Sequence, residues 1–331
     1  MQKLFIILFI SGLISCSGKN ECEKAPNGSN VAVDINVKRF EQELFEIGNK
    51  NQAEEFIKNN RAIADNFLQA ADYPKDSILA NQLFRLVKDA DVQTLYKETI
   101  QEFDDVSFLK DQYEQAFRYL KYYYPEARIP AVATMVTGLG NDLYVSDSLI
   151  VIGLDFFIGE NATYRPINMP QYILNRYKKD YIVPSSLLLL SSDYNASDPN
   201  DHSVLADMIF YGKAYYFTKQ MLPCIADSLI IGYTGDQMQD VDKNQGTIYA
   251  HFVDNQLIYE TSPFVKSKYL DERPKTPEIG NKAPGRVGNY LGWKIVQSYM
   301  EQNPNISLQE LMQTRNVQKI FMNSKYKPRN H

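Results

Sequence analysis

The side chains that most often carry catalysis are sparse in this sequence. Its histidines are His202, His251 and His331. A catalytic zinc takes about three protein ligands, and the sequence contains no H-E-x-x-H pattern that would supply two of them. Three acidic residues near His202 would suit a metal ion, namely Asp198, Asp201 and Asp207. At a predicted helix start, however, His202 more simply faces solvent, so we expect neither a metal site nor a cofactor.

Two other catalytic motifs are also missing. The sequence has no G-x-S-x-G nucleophile elbow and no G-x-x-x-x-G-K-[ST] phosphate loop. Gly138-Leu139-Gly140 begins like a dinucleotide-binding fingerprint, but Leu143 stands at the third glycine position. The stretch is also predicted to lie in a hairpin instead of leading into a helix, so we interpret it as a turn.

Two carboxylates follow the predicted sheet, Asp155 and Glu160. Such a pair could serve as general acid and base if both faced one cleft. Their spacing does not indicate a shared cleft, and acids after a strand are more commonly exposed on a loop. We therefore predict no catalytic residue in the chain.

The first sixteen residues, MQKLFIILFISGLISC, have the layout of a secretory signal peptide. Leu13-Ile14-Ser15-Cys16 resembles a bacterial lipobox, in which the cysteine thiolate accepts a diacylglyceryl group. The apolar run is too short for a spanning helix of about 20 residues. We predict a signal peptide over residues 1–15, cleavage between Ser15 and Cys16, and acylation of Cys16, palmitate included, that holds the protein on a membrane. An ordinary signal peptide or an uncleaved anchor is the alternative.

Residues 16–30 then form the acylated cysteine and a polar tether. Cys22 in this tether and Cys224 in the body could pair in an oxidising envelope, which would tie the two together. Two distant cysteines without a framework are more often a free thiol and a small apolar residue, and the sequence favours that interpretation.

Charge and hydropathy restrict the partners of the body. The formal net charge is −5, and the 35 lysines and arginines are scattered instead of forming a basic stripe. We therefore expect no nucleic-acid partner. The mean hydropathy of −0.37 fits a soluble body on a lipid tether.

We predict that residues 31–331 form a single globular domain. Within it, the spacing of the apolar residues changes along the chain. Over residues 36–124, apolar residues recur at helical spacing, as in Ile78, Leu83, Phe84 and Val87, which favours helices. The clearest helix begins near Asp105 as its N-cap and ends at Pro125. Its buried face is predicted to contain Leu109, Tyr113, Ala116, Phe117 and Leu120.

Short β-branched and aromatic runs between residues 131 and 158 predict a small antiparallel sheet. Helical patterns return over residues 169–331, with a strong helix from Arg286 to Met300. The order of helices, sheet and helices predicts an α+β fold that is predominantly helical, with the sheet flanked by helices.

Besides the lipobox, several segments together carry a family pattern, namely Arg176–Leu190, Met208–Pro223, Asp227–Met238, Ala283–Gln313 and Ser324–Pro328. They resemble, in order, the gliding-motility lipoprotein GldB family of Bacteroidota. The PGRVG-x-x-LGW-x-IV stretch is the most specific of them. The resemblance covers nearly the whole chain and implies a role in gliding motility.

That family in turn looks distantly like zincin-type zinc peptidases, which implies a degenerate zincin-like scaffold. The counterpart of their active helix falls within residues 184–192, PSSLLLLSS, which has no histidine or glutamate. The counterpart of the third ligand is Tyr211. The resemblance therefore implies a peptidase scaffold without its metal ligands, a pseudoenzyme.

We interpret the protein as a lipid-anchored, non-catalytic envelope protein that binds a component of the motility or type IX secretion apparatus. The alternatives are an envelope hydrolase with an unrecognised active site, and a lipoprotein that stabilises another lipoprotein or a lipid. Candidate cleft or partner-binding residues are Tyr211, Lys213, Tyr216, Arg286 and Trp293. Arg286 could hold an acid in the cleft or be solvated. We expect the body to lie in the periplasm on the cell membrane or the outer membrane.

Overall fold

The computed structural model describes Cys22 and residues 31–329. The predicted signal peptide, the Ser15–Cys16 cleavage site, acylation at Cys16 and most of the tether lie outside the described residues, as does His331. Across residues 31–329, every helix is too short or too polar to cross a membrane.

Helices occupy most of the described chain. Before the sheet they are α1 (Phe40–Phe45), α2 (Lys50–Asn59), α3 (Arg61–Asn66), α4 (Asp76–Lys88), α5 (Ala90–Glu102) and α6 (Ser107–Tyr123). After the sheet they are α7 (Gln171–Leu174), α8 (Lys179–Leu190), α9 (Val204–Met221), α10 (Asp227–Ile231), α11 (Gly235–Lys243), α12 (Gln245–Asp254), α13 (Pro263–Leu270), α14 (Val287–Gln302), α15 (Leu308–Gln313) and α16 (Val317–Ser324). The predominantly helical α+β class is confirmed.

The sheet has four strands in the order β1-β2-β4-β3. They are β1 (Val37–Arg39), β2 (Ala131–Met135), β3 (Leu143–Val145) and β4 (Leu149–Gly153). β1 and β4 both run parallel to β2, and only β3 is antiparallel to its neighbour β4. The prediction of an antiparallel sheet was therefore wrong, because β3 folds back onto β4 and leaves β4 free to pair with β2.

Strand β1 lies in a stretch that was predicted to be helical. Its three residues are too few to show the alternation that identifies a strand in a sequence. Arg39 at its end donates to a carboxylate oxygen of Glu41 at 2.7 Å, and the Thr134 hydroxyl of β2 donates to the other oxygen at 2.6 Å. Parallel backbone pairing with the distant strand β2 defines this short element, and the side-chain bonds through Glu41 support it.

The sheet lies between two helical layers. Val132, Ile150 and Ile152 pack into a hydrophobic cluster with the later helices and α6. Ala133 and Val151 point the other way, into a second cluster formed by α1 to α4. Because side chains alternate along a strand, β2 and β4 bury both faces, which explains their continuously apolar sequences.

The spacing of apolar residues predicted the buried face of α6 correctly. Leu109, Tyr113 and Phe117 are buried on one face, together with Ala116 and Leu120, as predicted. The cap prediction was wrong by one residue: Val106 is the N-cap, and the Asp105 side chain accepts from the Ser107 amide at 2.8 Å. Ile78 of α4 was also predicted to face the core but is 40% exposed.

Helices α9 and α14 cross at two glycines. A Cβ atom on Gly292 would overlap the backbone carbonyl of Met208, and one on Gly212 would overlap the carbonyl of Gly292. Backbone atoms cannot rotate away as a flexible side chain can. The glycines therefore let the two helix backbones come into direct contact.

Cys22 and Cys224 form a disulfide across 202 residues of sequence. The interpretation that favoured two unpaired cysteines was therefore wrong. No local pattern identifies such a pairing, because the fold alone brings the two residues together. Cys224 follows the carboxyl-terminal end of α9, so the bond fixes the tether there.

Asp155 organises the loop that joins β2 to β3. Its carboxylate accepts from the amides of Thr137 at 3.2 Å and Leu139 at 2.7 Å, and the backbone turns through positive φ at Gly138 and Leu139. The turn prediction for this glycine pair is confirmed. Asp155 itself is only 2% exposed, which contradicts its prediction as a surface acid. Burial raises its pKa from 3.8 to about 6, against the lowering effect of the amides.

We expect Gly292→Ala to lower the free energy of unfolding by about 3 kcal/mol, since the new methyl group meets backbone atoms. Gly212→Ala should act similarly. Gly235→Ala is the matched control, because a Cβ at this first residue of α11 has open space around it, and it should lie within about 1 kcal/mol of the wild type. Urea unfolding followed by circular dichroism measures all three, and equal stabilities would contradict the close crossing.

The raised pKa of Asp155 predicts a pH dependence of stability. Its folded-state pKa lies above the value of the unfolded chain, so its contribution is full below about pH 4 and is lost as the pH rises through about 6. The stability of wild type relative to Asp155→Asn should fall by about 3 kcal/mol between pH 4 and pH 7. Urea unfolding of both proteins across this range tests the sign, and a constant difference would refute it.

Candidate functional site

A cavity of about 480 Å³ opens between α8, α9 and the start of α14. Its lining combines apolar side chains, here called the wall, with polar side chains, here called the polar end. The wall is formed by Leu188, Leu189, Phe210, Ala214 and Leu270. The polar end is formed by Arg176, Ser191, Ser192, Tyr211, Tyr215, Asp271, Glu272, Arg286 and Asn289.

Two arginines share one carboxylate at the polar end. Arg176 donates to both oxygens of Glu272, at 2.8 and 2.9 Å. The Nε of Arg286 lies 3.2 Å from the same carboxylate. Asp271 in the same lining adds a second negative charge, so the two arginines are balanced in charge and offer the cavity hydrogen-bond donors.

The backbone around Arg286 places its guanidinium at the cavity. Arg286 has a φ of 58° and immediately precedes α14, so the chain turns sharply there before the helix begins. Its guanidinium lies 3.4 Å from the Tyr215 hydroxyl and 3.5 Å from the Gly232 carbonyl oxygen. Of the two alternatives for Arg286, the structure shows that it holds an acid, Glu272.

Tyr211 stands at the rim of the cavity, 39% exposed. Burial of the rest of its ring raises the pKa of its hydroxyl, and neighbouring Tyr215 and Asp207 act in the same direction. The hydroxyl therefore stays protonated at neutral pH and can donate a hydrogen bond. Trp293 is fully buried, and the centroid of its ring lies 5.5 Å from that of Tyr215, which lines the cavity.

Lys213 lies away from this cavity. Its ammonium donates to the carbonyl oxygens of Ala196 at 2.7 Å, Met312 at 3.2 Å and Thr314 at 3.1 Å. Burial lowers its pKa to about 8, so the charged form still predominates at neutral pH. Because two of the carbonyls belong to the end of α15, Lys213 acts there as a helix-terminal cation.

A second cavity of about 340 Å³ lies on the other side of Tyr211. His202, Asp198, Asp201, Asp207 and Lys213 line it together with apolar residues. Asp207 is paired with Lys266 at 2.6 Å. Within residues 31–329 and Cys22, no three histidine, cysteine or acidic side chains are grouped to hold a metal ion.

The remaining predicted residues are not brought to the cavity. Tyr216 is half-buried on another side of α9, where burial raises its pKa to about 12. Glu160 is exposed and paired with Lys178 at 2.7 Å, whereas Asp155 is buried. The two acids therefore occupy different environments.

Sequence reasoning missed Arg176, Glu272, Asn289 and the apolar wall. Arg176 lies in a segment quoted for the family resemblance, but only its pairing with Glu272, 96 residues away, reveals a role. Asn289 is buried, and its amide donates to the Leu270 carbonyl at 3.2 Å. These residues carry no recognisable spacing, because five separate segments of the chain supply them.

Helix α8 contains most of residues 184–192, the segment predicted to correspond to the peptidase active helix. Its buried Ser186 hydroxyl lies 2.7 Å from the Tyr113 hydroxyl and 2.8 Å from the Ile182 carbonyl oxygen. Polar groups on this helix thus serve interhelical packing. The zincin-like character of the scaffold stays a prediction.

The cavity is suited to holding a peptide segment. Its wall can accept an apolar side chain, and the arginine and tyrosine groups can donate to a carbonyl or carboxylate. Exposed Leu189, at 51%, and Tyr211 stand where a partner would first make contact.

We expect Glu272→Gln to lower the free energy of unfolding by about 1–3 kcal/mol, since it leaves the mostly buried Arg286 without a carboxylate. Glu160→Gln is the control: it breaks an ion pair of which both members are exposed, and should change stability by less than about 0.5 kcal/mol. Thermal or urea unfolding compares the two variants. Equal effects would mean that the Glu272 pairing is only a surface contact.

Comparison with known proteins gives one family. The family model described as gliding motility protein GldB matches residues 21–328. No curated protein and no solved structure matches the chain. The match spans nearly the whole sequence and confirms the family resemblance. The chain therefore belongs to the gliding motility protein GldB family.

Proposed function

We propose that this protein is a non-catalytic envelope lipoprotein, anchored through acylated Cys16, that supports gliding motility by binding a component of the motility or type IX secretion apparatus. Membership of the GldB family indicates the part in gliding motility. The anchor, the periplasmic position of the body and the partner belong to the proposal.

The cavity beside α9 carries the proposal of partner binding. It combines an exposed apolar rim at Leu189 with a polar end of two arginines that face one glutamate. Aromatic and arginine side chains in a partly buried groove are typical of protein-binding surfaces. A partner segment with an apolar side chain beside a carbonyl or carboxylate would fit both parts of the cavity.

The surroundings of the acidic residues support a non-catalytic role. Asp155 is used to hold the loop after β2, and Glu272 is held by two arginines. Glu160 is paired with Lys178 in solvent. Each of these carboxylates thus has a structural explanation.

We expect Leu189→Arg to abolish gliding of a deletion strain that the wild-type protein restores, because a charge at the rim disrupts the apolar contact with the partner. A photo-crosslinking residue placed at position 189 in living cells should capture a motility or secretion component. Ile78 of α4, an exposed apolar residue on the opposite helical layer, provides the matched control. Ile78→Arg should glide, and position 78 should not capture that component.

The same strains separate partner binding from an envelope hydrolase. Asp155→Asn, Glu160→Gln and His202→Ala should all restore gliding at normal protein levels. Loss of gliding in one of them with normal abundance, together with normal gliding of Leu189→Arg, would refute the proposal and favour the hydrolase.

A further inference from the structure

We propose that the face of α6 beside the Cys22–Cys224 disulfide lies against the lipid surface of the membrane. This docking face is formed by Gln115, Arg118, Tyr119 and Tyr122. The proposal rests on the proposed acylation of Cys16 and adds which side of the body meets the membrane.

The disulfide limits how far the body can move from an acylated Cys16. Cys22 lies six positions after Cys16, and a fully extended chain of that length reaches about 20 Å. Without the disulfide the next fixed point is Ile35, which is buried and reached after 19 residues, or about 65 Å. The disulfide therefore shortens the possible tether about threefold.

Both attachment points of the tether lie on α6. The sulfur of Cys224 is 4.0 Å from Nε2 of Gln115. The amide of Ile35 donates to Glu114 at 3.2 Å, and Lys110 pairs with Asp34 at 3.1 Å. The chain therefore enters the body along this helix, and a short tether brings the helix to the membrane.

The composition of the docking face suits a lipid interface. Arg118, Tyr119 and Tyr122 follow Gln115 by three, four and seven residues, so they share its helix face. Tyr122 is 48% exposed. Residues 115–124, QAFRYLKYYY, contain two basic and no acidic residues. Tyrosines concentrate at membrane interfaces, and basic side chains are attracted to anionic headgroups.

Glu114 reduces the positive charge of the docking face but does not reverse it. Glu114 pairs with Arg118 at 3.2 Å, and Lys121 donates to the Pro125 carbonyl at 2.9 Å. Arg118 nevertheless remains partly exposed, with 41% of its side chain accessible. The tyrosines, together with the short tether, are therefore the main reason for assigning this face to lipid.

Tyr259 provides an internal reference far from the docking face. It precedes Glu260, whose carbonyl accepts from the Val204 amide at the start of α9. Cys224 follows the other end of α9, whose 18 residues form a helix about 27 Å long. Tyr259 and the disulfide therefore lie near opposite ends of this helix. Tyr259 is 59% exposed, so it should react freely while Tyr122 is covered.

The test compares the reaction of these two tyrosines with a water-soluble nitrating reagent. The mature acylated protein is placed in vesicles of phosphatidylethanolamine and phosphatidylglycerol, and the mature chain with Cys16→Ser serves as the lipid-free reference. We expect the ratio of Tyr122 to Tyr259 nitration to fall several-fold in vesicles. In the double variant Cys22→Ser, Cys224→Ser the ratio should return towards the reference value, because the tether becomes long.

Mass analysis of the amino-terminal peptide shows whether Cys16 is acylated, and so separates the proposed anchor from the proposed docking face. If Cys16 is acylated and Tyr122 still reacts as in the lipid-free reference, the docking face is wrong while the anchor stands. Protection of Tyr122 that persists in the double-serine variant would overturn the role of the disulfide in presenting this face. A peptide without lipid would overturn both the anchor and the docking face.

Discussion

The contact between the backbones of α9 and α14 at Gly212 and Gly292 is the constraint on which the site depends. Tyr211 and Tyr215 flank Gly212 in the sequence, and Arg286 stands just before α14. The crossing therefore fixes the distance between the tyrosine side and the arginine side of the cavity. A wider crossing would separate Arg286 from Tyr215 and would expose Trp293, which is now buried beside Tyr215.

Buried positive charges in this molecule are matched by fixed acceptors. Arg286 has a carboxylate, a hydroxyl and a carbonyl around it, and Lys213 has three carbonyls. A buried cation without such partners would be strongly destabilising. The two residues therefore stabilise the contacts between segments on either side of α9.

The features that could be predicted from the sequence are those that depend on residues close together in the chain. The buried face of α6 follows from apolar spacing within one helix, and the turn at Gly138 follows from glycine in a short polar segment. The parallel pairing of β2 with β4 and the three-residue β1 could not be predicted, because neighbours from distant parts of the chain determine them. The same holds for Glu272, which approaches Arg286 only because the backbone turns through a positive φ, and for Asp155, whose burial depends on the loop that wraps it.

The disulfide also determines what happens to the molecule when its backbone is cleaved. It joins residues 202 apart, so the covalent ring encloses the amino-terminal helical layer, the whole sheet and α6 to α9. A single backbone cut by an envelope protease anywhere inside this ring leaves two pieces that are still linked through sulfur. The cleaved molecule thus keeps its amino-terminal and carboxyl-terminal parts together, and fragments separate only after reduction or a second cut.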